Sequence, residues 1–307
     1  MRAAVIDVGS NTIKLLVAER GDPGIREVLS RTLDVRISRG IGGAHPSLGA
    51  DAMDQGAAAV AALAAEARSL GADRLTAVAT SAVRDAANGA AFRERVRTET
   101  GVELRILSGG EEAALIGRGL TTDPALAALT DFNVYDLGGG SLECLSFVNR
   151  EPVRAVSLQL GCVRLTEKFV ADAAAAFTDA DARRVREHVE AALGGAGFGD
   201  ALPAGTAVIG CGGTVTTARA ILAAEVSATL SKSASRIEVG ALRRICAKVA
   251  PMPLALRRQL PGLSAARADV YPAALVTLIA IAERGRFEAF LHSFRNLRWG
   301  MAASLLD

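Results

Sequence analysis

Aromatic and cysteine residues are scarce in this sequence. Among its 307 residues, Phe, Trp and Tyr make up 4%, and the four cysteines stand singly without a C-x-x-C pair. This usage excludes a zinc ribbon and a disulfide framework, and it is typical of a reducing compartment. The longest apolar run, "AALVTLIAIA", is too short to cross a bilayer, and the amino terminus reaches Asp7 too early for a signal peptide. We therefore expect a cytoplasmic protein without a membrane anchor.

A strong net charge and the common nucleotide-binding signatures are also missing. The formal net charge is only +2, which is too small for a surface that coats nucleic acid or binds an anionic membrane. Neither the P-loop pattern G-x-x-x-x-G-K-[ST] nor the dinucleotide pattern G-x-G-x-x-G occurs. We therefore expect no nucleic-acid partner, no P-loop and no Rossmann site.

What is present is an α/β pattern that restarts part-way along the chain. Half of the residues are hydrophobic, and the length exceeds that of a typical single core, so we expect two domains. The runs "AAVIDVG" and "IKLLVAE" predict two strands joined by the polar turn "SNT". The later stretch "FNVYDLGGGSLECLSF" repeats the order of apolar run, Asp, Gly, small polar residue and apolar run. We interpret this repetition as a diverged internal duplication.

Three glycine-bearing turns each follow an apolar strand: "IDVGSNT", "YDLGGGS" and "GCGGTVTT". Glycine lets backbone amides approach an anion closely, and neighbouring Ser or Thr hydroxyls add donors, so such turns can cradle phosphate. Any one of them alone is more often only a turn. Three together, two of which carry an aspartate, favour a phosphate-binding site.

Several segments, in order, resemble a known family. "AVIDVGSNTIKLLVAE", "VYDLGGGSLE" and "VIGCGGTVTTARAI" are similar to the phosphate 1, phosphate 2 and adenosine motifs of the superfamily of acetate and sugar kinases, heat-shock chaperones and actin. Within that superfamily, "ATSAVRDAANGAAF", "LSGGEEAALIGRG" and "LPGLSAARADV" resemble the exopolyphosphatase and guanosine pentaphosphate phosphatase family, Ppx/GppA. The resemblance covers essentially the whole chain.

The resemblance implies an α/β fold with two ribonuclease-H-like lobes of the actin-like ATPase (ASKHA) type and an active-site cleft between them. We expect an N-terminal lobe over residues 1–130, a C-terminal lobe over residues 131–295, and a last helix near 296–307 that packs on the first lobe. Longer family members add a C-terminal HD-type domain, so the resemblance is to the short form. The family also suggests a homodimer. The segment "NLRWG" departs from the family pattern because Trp299 replaces an acid.

The resemblance also implies roles for the motif residues. Glu112, the second acid of "SGGEEA", would orient and deprotonate the attacking water, with Glu143 as the alternative base or a metal partner. Mg²⁺, or Mn²⁺, would be held by Asp7, Asp136 and Glu143. The phosphate-binding residues would be Gly9, Ser10, Asn11, Thr12, Arg84, Gly138, Gly139, Gly140, Ser141, Gly212, Gly213 and Thr214.

Each assignment has a simpler alternative. Glu112 suits the first turn of a helix, where the macrodipole favours an acid. Asp7 and Asp136 could cap their own turns through side-chain hydrogen bonds. Arg84 could form a surface ion pair with Asp85 or Glu94.

The resemblance as a whole implies a Mg²⁺-dependent phosphoanhydride hydrolase. Its substrate would be inorganic polyphosphate, from which the terminal phosphate is released, with guanosine pentaphosphate as the alternative. A small-molecule kinase of the same superfamily is less favoured, because "SGGEEA" places an acid where hydrolysis needs one. A nucleotide-sensing assembly protein is less favoured because the full set of carboxylates is present.

Overall fold

The computed structural model describes residues 1–22, 24–198 and 200–307. The strands are β1 (Arg2–Val8), β2 (Ile13–Arg20), β3 (Ile25–Leu33), β4 (Arg74–Ala79), β5 (Leu104–Ile106), β6 (Phe132–Leu137), β7 (Leu142–Val148), β8 (Glu151–Leu158), β9 (Ala207–Cys211), β10 (Arg236–Glu238) and β11 (Ala289–His292). The α-helices are α1 (Ala50–Ser69), α2 (Ser81–Arg84), α3 (Gly89–Thr100), α4 (Gly109–Thr121), α5 (Cys162–Phe169), α6 (Asp179–Gly195), α7 (Gly212–Glu225), α8 (Val239–Val249), α9 (Leu254–Arg257), α10 (Tyr271–Gly285) and α11 (Leu297–Leu306).

The chain forms two compact units. Unit 1 comprises Met1–Ala128 together with Arg295–Asp307, and unit 2 comprises Leu129–Phe294. None of the helices in the described ranges combines the length and the apolar character that a bilayer crossing requires.

Unit 1 is built on a five-stranded sheet in the order β3-β2-β1-β4-β5. Strand β2 pairs antiparallel with both β1 and β3, whereas β4 pairs parallel with both β1 and β5. The central strand β1 is apolar and buried over most of its length, as expected for a strand that is covered on both faces. Helices α1 and α11 both pack against β1 and β2 and supply that cover.

Unit 2 repeats this topology. Its sheet has the order β10-β11-β9-β6-β7-β8, in which β6, β7 and β8 are antiparallel and β6, β9 and β11 are parallel. Without the extra strand β10, the order matches that of unit 1 strand for strand. Helix α7 packs against β6, β9 and β11, and helix α10 packs against α5, α6 and α8. The duplication that the sequence predicts is therefore present in the sheets.

Helix α11 completes unit 1 by crossing α4 at two glycines. A Cβ atom at Gly119 would overlap the carbonyl of Asn296, and one at Gly300 would overlap the carbonyl of Leu115. The helix backbones therefore touch, which only glycine permits at both positions. The guanidinium of Arg295 lies 4.1 Å from the ring centre of Trp299, so this tryptophan packs within unit 1.

Candidate active site

The first predicted phosphate turn joins β1 to β2 in unit 1. The amide of Gly9 donates to the carbonyl of Thr12 at 3.1 Å, which closes the hairpin. Ser10, Asn11 and Thr12 are polar, yet they are only 4%, 3% and 5% exposed. Nε of Arg36 donates to Oδ1 of Asn11 at 2.7 Å and orients that amide side chain. The turn therefore concentrates buried polar groups at the end of β1.

Asp7 lies two residues before this turn, directly opposite Lys14 in the register of β1 and β2. Its Oδ1 atom is buried and has no hydrogen-bond partner among the described residues. Burial raises the pKa of the Asp7 carboxyl, while the charges of Lys14 and Arg298 oppose that increase. A buried carboxylate oxygen without a partner fits a site for Mg²⁺, which prefers oxygen ligands.

Parallel strands bring the other predicted residues of unit 1 to the same edge of its sheet. Val8 pairs with Ala79, and Ala79 pairs with Ile106, so the carboxyl ends of β1, β4 and β5 coincide. The turn at residues 9–12, helix α2 and helix α4 all follow these ends. Open sheets of this type bind ligands beyond the carboxyl ends of their strands.

Arg84 and Glu112 meet at this edge. Nη1 of Arg84 donates to Oε2 of Glu112 at 2.9 Å and to the carbonyl of Leu107 at 3.0 Å. Arg84 also lies 3.6 Å from Asp85, whereas Glu94 forms its ion pair within α3. The closest acidic partner of Arg84 is therefore the predicted catalytic glutamate, which is only 6% exposed.

The neighbouring acid Glu111 caps α4. The amide of Glu111 donates to the hydroxyl of Ser108 at 3.2 Å, and the amide of Ser108 donates to Oε2 of Glu111 at 2.8 Å, which together form a capping box. The hydrogen bond from the Ser108 backbone, together with Arg105, lowers the pKa of Glu111 to about 2. The two neighbouring acids therefore have different partners: Glu111 caps the helix, and Glu112 pairs with Arg84.

The turn between β6 and β7 repeats the first turn in unit 2. The amide of Gly138 donates to the carbonyl of Ser141 at 3.0 Å, as Gly9 does to Thr12. Ser141 is 4% exposed. The two hairpins therefore share not only their sequence order but also the hydrogen bond that closes them.

Two acids flank the second turn. Asp136 and Glu143 are direct partners in the register of β6 and β7, and they are only 6% and 2% exposed. The hydroxyl of Ser157, on β8, donates to Oε1 of Glu143 at 2.8 Å. Two buried carboxylates on neighbouring strands repel each other unless a cation or a proton intervenes. This arrangement also fits a metal-binding role.

The third glycine turn begins α7 and lies beside the second. A Cβ atom at Gly212 would overlap Oδ1 of Asp136, and Gly212 has a φ of +84°, so both space and conformation require glycine. The hydroxyl of Thr214 reaches the carbonyl of Leu137 at 3.4 Å. Unit 2 therefore brings two of the three predicted phosphate turns together at the ends of β6 and β9.

Three residues of unit 2 join this site although the motif analysis assigned them no role. The guanidinium of Arg267 lies where a side chain at Gly213 would project. Gly161 and Arg164, at the start of α5, contact the second turn. The available signals were the basic residue of "SAARADV" and the glycine before the short run "CVRLTEKF". Neither signal says where the segment packs.

The predicted residues thus fall into one group in each unit. Within the described residues of either unit, no cluster of three or more His, Cys, Asp or Glu side chains comes together. The assignment of a metal to these carboxylates accordingly stays a prediction.

The family of the chain follows from comparison with known proteins. A model of the Ppx/GppA phosphatase family matches residues 16–307. The chain belongs to this family. Among Ppx/GppA relatives, exopolyphosphatase 1 of Mycobacterium leprae is 32% identical over 277 residues, which cover 87% of this chain and 78% of that protein. Exopolyphosphatase 1 of Mycobacterium tuberculosis is 40% identical over 175 residues, which cover 56% of this chain and 50% of that protein, so the match spans about half the length of that relative.

The Ppx/GppA fold is also found in a solved structure. The crystal structure of an exopolyphosphatase from Cytophaga hutchinsonii matches with a TM-score of 0.88 at 21% identity, covering 100% of this chain and 98% of that one. At this identity the likeness shows the fold alone. The predicted fold class is confirmed, since the chain has the two actin-like α/β units of its family, each with its own sheet.

Proposed function

We propose that this Ppx/GppA protein is a Mg²⁺-dependent exopolyphosphatase that releases the terminal phosphate of inorganic polyphosphate. The observation that carries the proposal is the pair of Arg84 and buried Glu112 at the sheet edge of unit 1 where the turn at residues 9–12 lies. Two relatives that bear the name exopolyphosphatase 1 support the choice of polyphosphate.

The residues divide the work of hydrolysis as follows. Glu112 orients a water molecule and accepts its proton, and Arg84 holds that carboxylate in place and offers a guanidinium to a phosphate oxygen. The proposed Mg²⁺ ligands are Asp7 in unit 1 and Asp136 with Glu143 in unit 2. Bound Mg²⁺ would neutralise charge on the phosphate chain. Little covalent chemistry is required, because phosphoryl transfer depends mainly on positioning and on charge stabilisation.

Phosphate binding is assigned to the three turns. In unit 1, the polar side chains of residues 9–12 provide hydroxyl and amide groups. In unit 2, the backbone amides of residues 139–141 and the start of α7 at residues 212–214 provide donors, with Arg267 close to the latter. Such a set of donors recognises phosphate oxygens and does not distinguish one nucleobase from another.

Guanosine pentaphosphate is the second candidate substrate, because the motifs of the chain resemble a family of exopolyphosphatases and guanosine pentaphosphate phosphatases. The same phosphoanhydride chemistry would release its terminal phosphate. A small-molecule kinase is less favoured, since Glu112 is buried at a position suited to activating water.

The test compares phosphate release from medium-chain polyphosphate, guanosine pentaphosphate and ATP, with Mg²⁺, for the wild type and Glu112→Gln. We expect release from polyphosphate and a loss of about 10²- to 10⁴-fold in the variant, the usual contribution of a general base. Glu111→Gln is the matched control, because Gln at this position preserves a capping box and should leave turnover nearly unchanged.

The outcomes separate the candidates. A preference for guanosine pentaphosphate would mean that the same residues hydrolyse this nucleotide and not polyphosphate. ATP-dependent phosphorylation of a small acid or sugar, without phosphate release, would support the kinase. Phosphate release that persists in folded Glu112→Gln would remove Glu112 from the mechanism.

A further inference from the structure

The carbonyls of the three glycines in the second phosphate turn all accept hydrogen bonds from the start of α5. The carbonyl of Gly138 accepts from the amide of Cys162 at 3.0 Å. The carbonyl of Gly139 accepts from the amides of Val163 and Arg164 at 2.8 and 3.3 Å. The carbonyl of Gly140 accepts from Nε of Arg164 at 3.0 Å, and that contact is buried.

These bonds fix the direction in which the amides of the turn point. In a trans peptide, the carbonyl and the following N–H lie in the same plane and point in opposite directions. Because three consecutive carbonyls point to α5, the amides of Gly139, Gly140 and Ser141 point away from it. The amides of Gly139 and Gly140 have no acceptor among the described residues. Successive N–H groups that face one way form an anion-binding nest.

Gly161 allows α5 to come this close. It is the N-cap of α5, and a Cβ atom there would overlap the backbone of Gly139 and Gly140. Its φ of −63° and ψ of 148° are open to any residue, so glycine is needed for space and not for conformation.

We propose that the first turn of α5 imposes the phosphate-binding conformation on residues 138–141, with Gly161 and Arg164 as positioning residues. Neither residue has to touch the substrate. Gly161 lets the helix approach, and Arg164 holds the last of the three carbonyls. This inference rests on the proposed function, because it assigns the nest to a phosphate of the substrate.

Gly161→Ala tests the approach, and the chain offers a matched control. Gly49 is the N-cap of α1 with nearly the same backbone, φ −67° and ψ 153°, but a Cβ atom there meets nothing within 4 Å. We expect Gly161→Ala to raise the KM for polyphosphate and the Kd for inorganic tripolyphosphate about tenfold or more, because several hydrogen bonds of the turn are disturbed. We expect kcat to change less than KM, and Gly49→Ala to leave all three constants near those of the wild type.

Arg164 variants separate positioning from folding. Arg164→Met keeps the apolar length but removes the donor to Gly140, and Arg164→Lys restores a donor. We expect the Kd for tripolyphosphate to rise in Arg164→Met and to recover in part in Arg164→Lys. A merely structural role would lower the unfolding midpoint of Arg164→Met and leave the Kd of the folded fraction unchanged.

Binding and turnover together distinguish the two proposals. If the wild type binds tripolyphosphate but releases no phosphate, and Gly161→Ala loses binding, the hydrolase fails and the role of α5 stands. If folded Gly161→Ala and Arg164→Met keep the wild-type KM and Kd, the role of α5 is overturned and the hydrolase stands. If the wild type neither binds nor hydrolyses, both are overturned.

Discussion

The two β-hairpin turns are copies of one structure with different chemistry. Both are closed by one hydrogen bond, from Gly9 to Thr12 in unit 1 and from Gly138 to Ser141 in unit 2. The first turn contains buried polar side chains, whereas the second is almost entirely glycine. Unit 1 also carries the pair of Arg84 and Glu112, for which α2 and α4 provide the frame.

Under the proposed function, this difference divides the work between the two sheets. Unit 1 would offer side chains that accept protons and carry charge, while unit 2 would offer a backbone cradle whose amides are directed by α5. A backbone cradle needs glycine and close packing, and a side-chain site needs buried partners that hold each side chain in place. Besides the hydrogen bond that closes the turn, both copies retain one aspartate at the same place on the first strand, Asp7 in unit 1 and Asp136 in unit 2.

The largest effect is expected when that shared aspartate is neutralised in each unit. Asp7→Asn and Asp136→Asn should each lower kcat/KM for polyphosphate by about 100-fold or more, since metal-held charge supplies several kcal/mol of transition-state stabilisation. Asp7→Asn should also raise the free energy of unfolding without Mg²⁺, because Oδ1 of Asp7 is buried without a hydrogen-bond partner. Steady-state kinetics and urea unfolding measure the two effects.

Asp131→Asn is the control for this pair, because Asp131 is exposed and lies just before β6. It should keep wild-type kinetics. If either Asp7→Asn or Asp136→Asn keeps more than half of the wild-type activity, the two aspartates do not have the same role.

A second, smaller effect concerns how stability depends on pH, and it should come from unit 2 alone. His292 ends β11, whereas the corresponding strand of unit 1, β5, reads Leu-Arg-Ile. Nη1 of Arg219 donates to Nδ1 of His292 at 3.1 Å, which places the ring proton on Nε2, 3.0 Å from the hydroxyl of Thr216. Thr216 in turn donates to the carbonyl of Gly212 at 2.9 Å.

Burial, with the charge of Arg219, lowers the pKa of His292 to about 3. The unfolded chain binds this proton below about pH 6.5, but the native chain does not bind it until about pH 3. Stability should therefore fall as the pH drops through this window, by at most about 1.4 kcal/mol per pH unit. His292→Gln should flatten that slope in urea unfolding. An NMR titration of native His292 with a midpoint near 6.5 would contradict the assignment.

The smallest effect compares two helix caps. Ser108 closes a capping box on α4, and Thr178 closes one on α6 with Asp181. Ser108→Ala and Thr178→Ala should each cost about 1 kcal/mol of unfolding free energy. Only Ser108→Ala should also reduce kcat, because α4 carries Glu112 and α6 carries no residue of the proposed site. Equal losses of kcat in both variants would mean that global stability, and not the position of Glu112, limits turnover.

Local patterns in the sequence predicted much of this arrangement. The two hairpins and the three glycine turns depend on neighbouring residues, and the structure contains each of them.

Contacts between distant segments were beyond such patterns. Helix α5 has only eight residues, and strands β7 and β8 separate it along the chain from the turn that it contacts. The sequence offered Asp85 and Glu94 as partners of Arg84, and it gave no sign that Glu112 would be the closer one, at 2.9 Å against 3.6 Å for Asp85. The placement of Arg267 against Gly213 likewise depends on how its loop packs. Loop packing leaves no periodic pattern in the sequence from which it could be predicted.

The crossing of α4 and α11 also sets an order of assembly. Residues 295–307 belong to unit 1, yet the ribosome makes them only after all of Leu129–Phe294. At roughly 5–20 residues per second, this interval lasts on the order of ten seconds. Unit 2 is continuous in the chain and can therefore finish folding first, while nascent unit 1 still exposes the α4 surface around Gly119 to chaperones. The first part of the protein to be synthesised is thus the last to be completed.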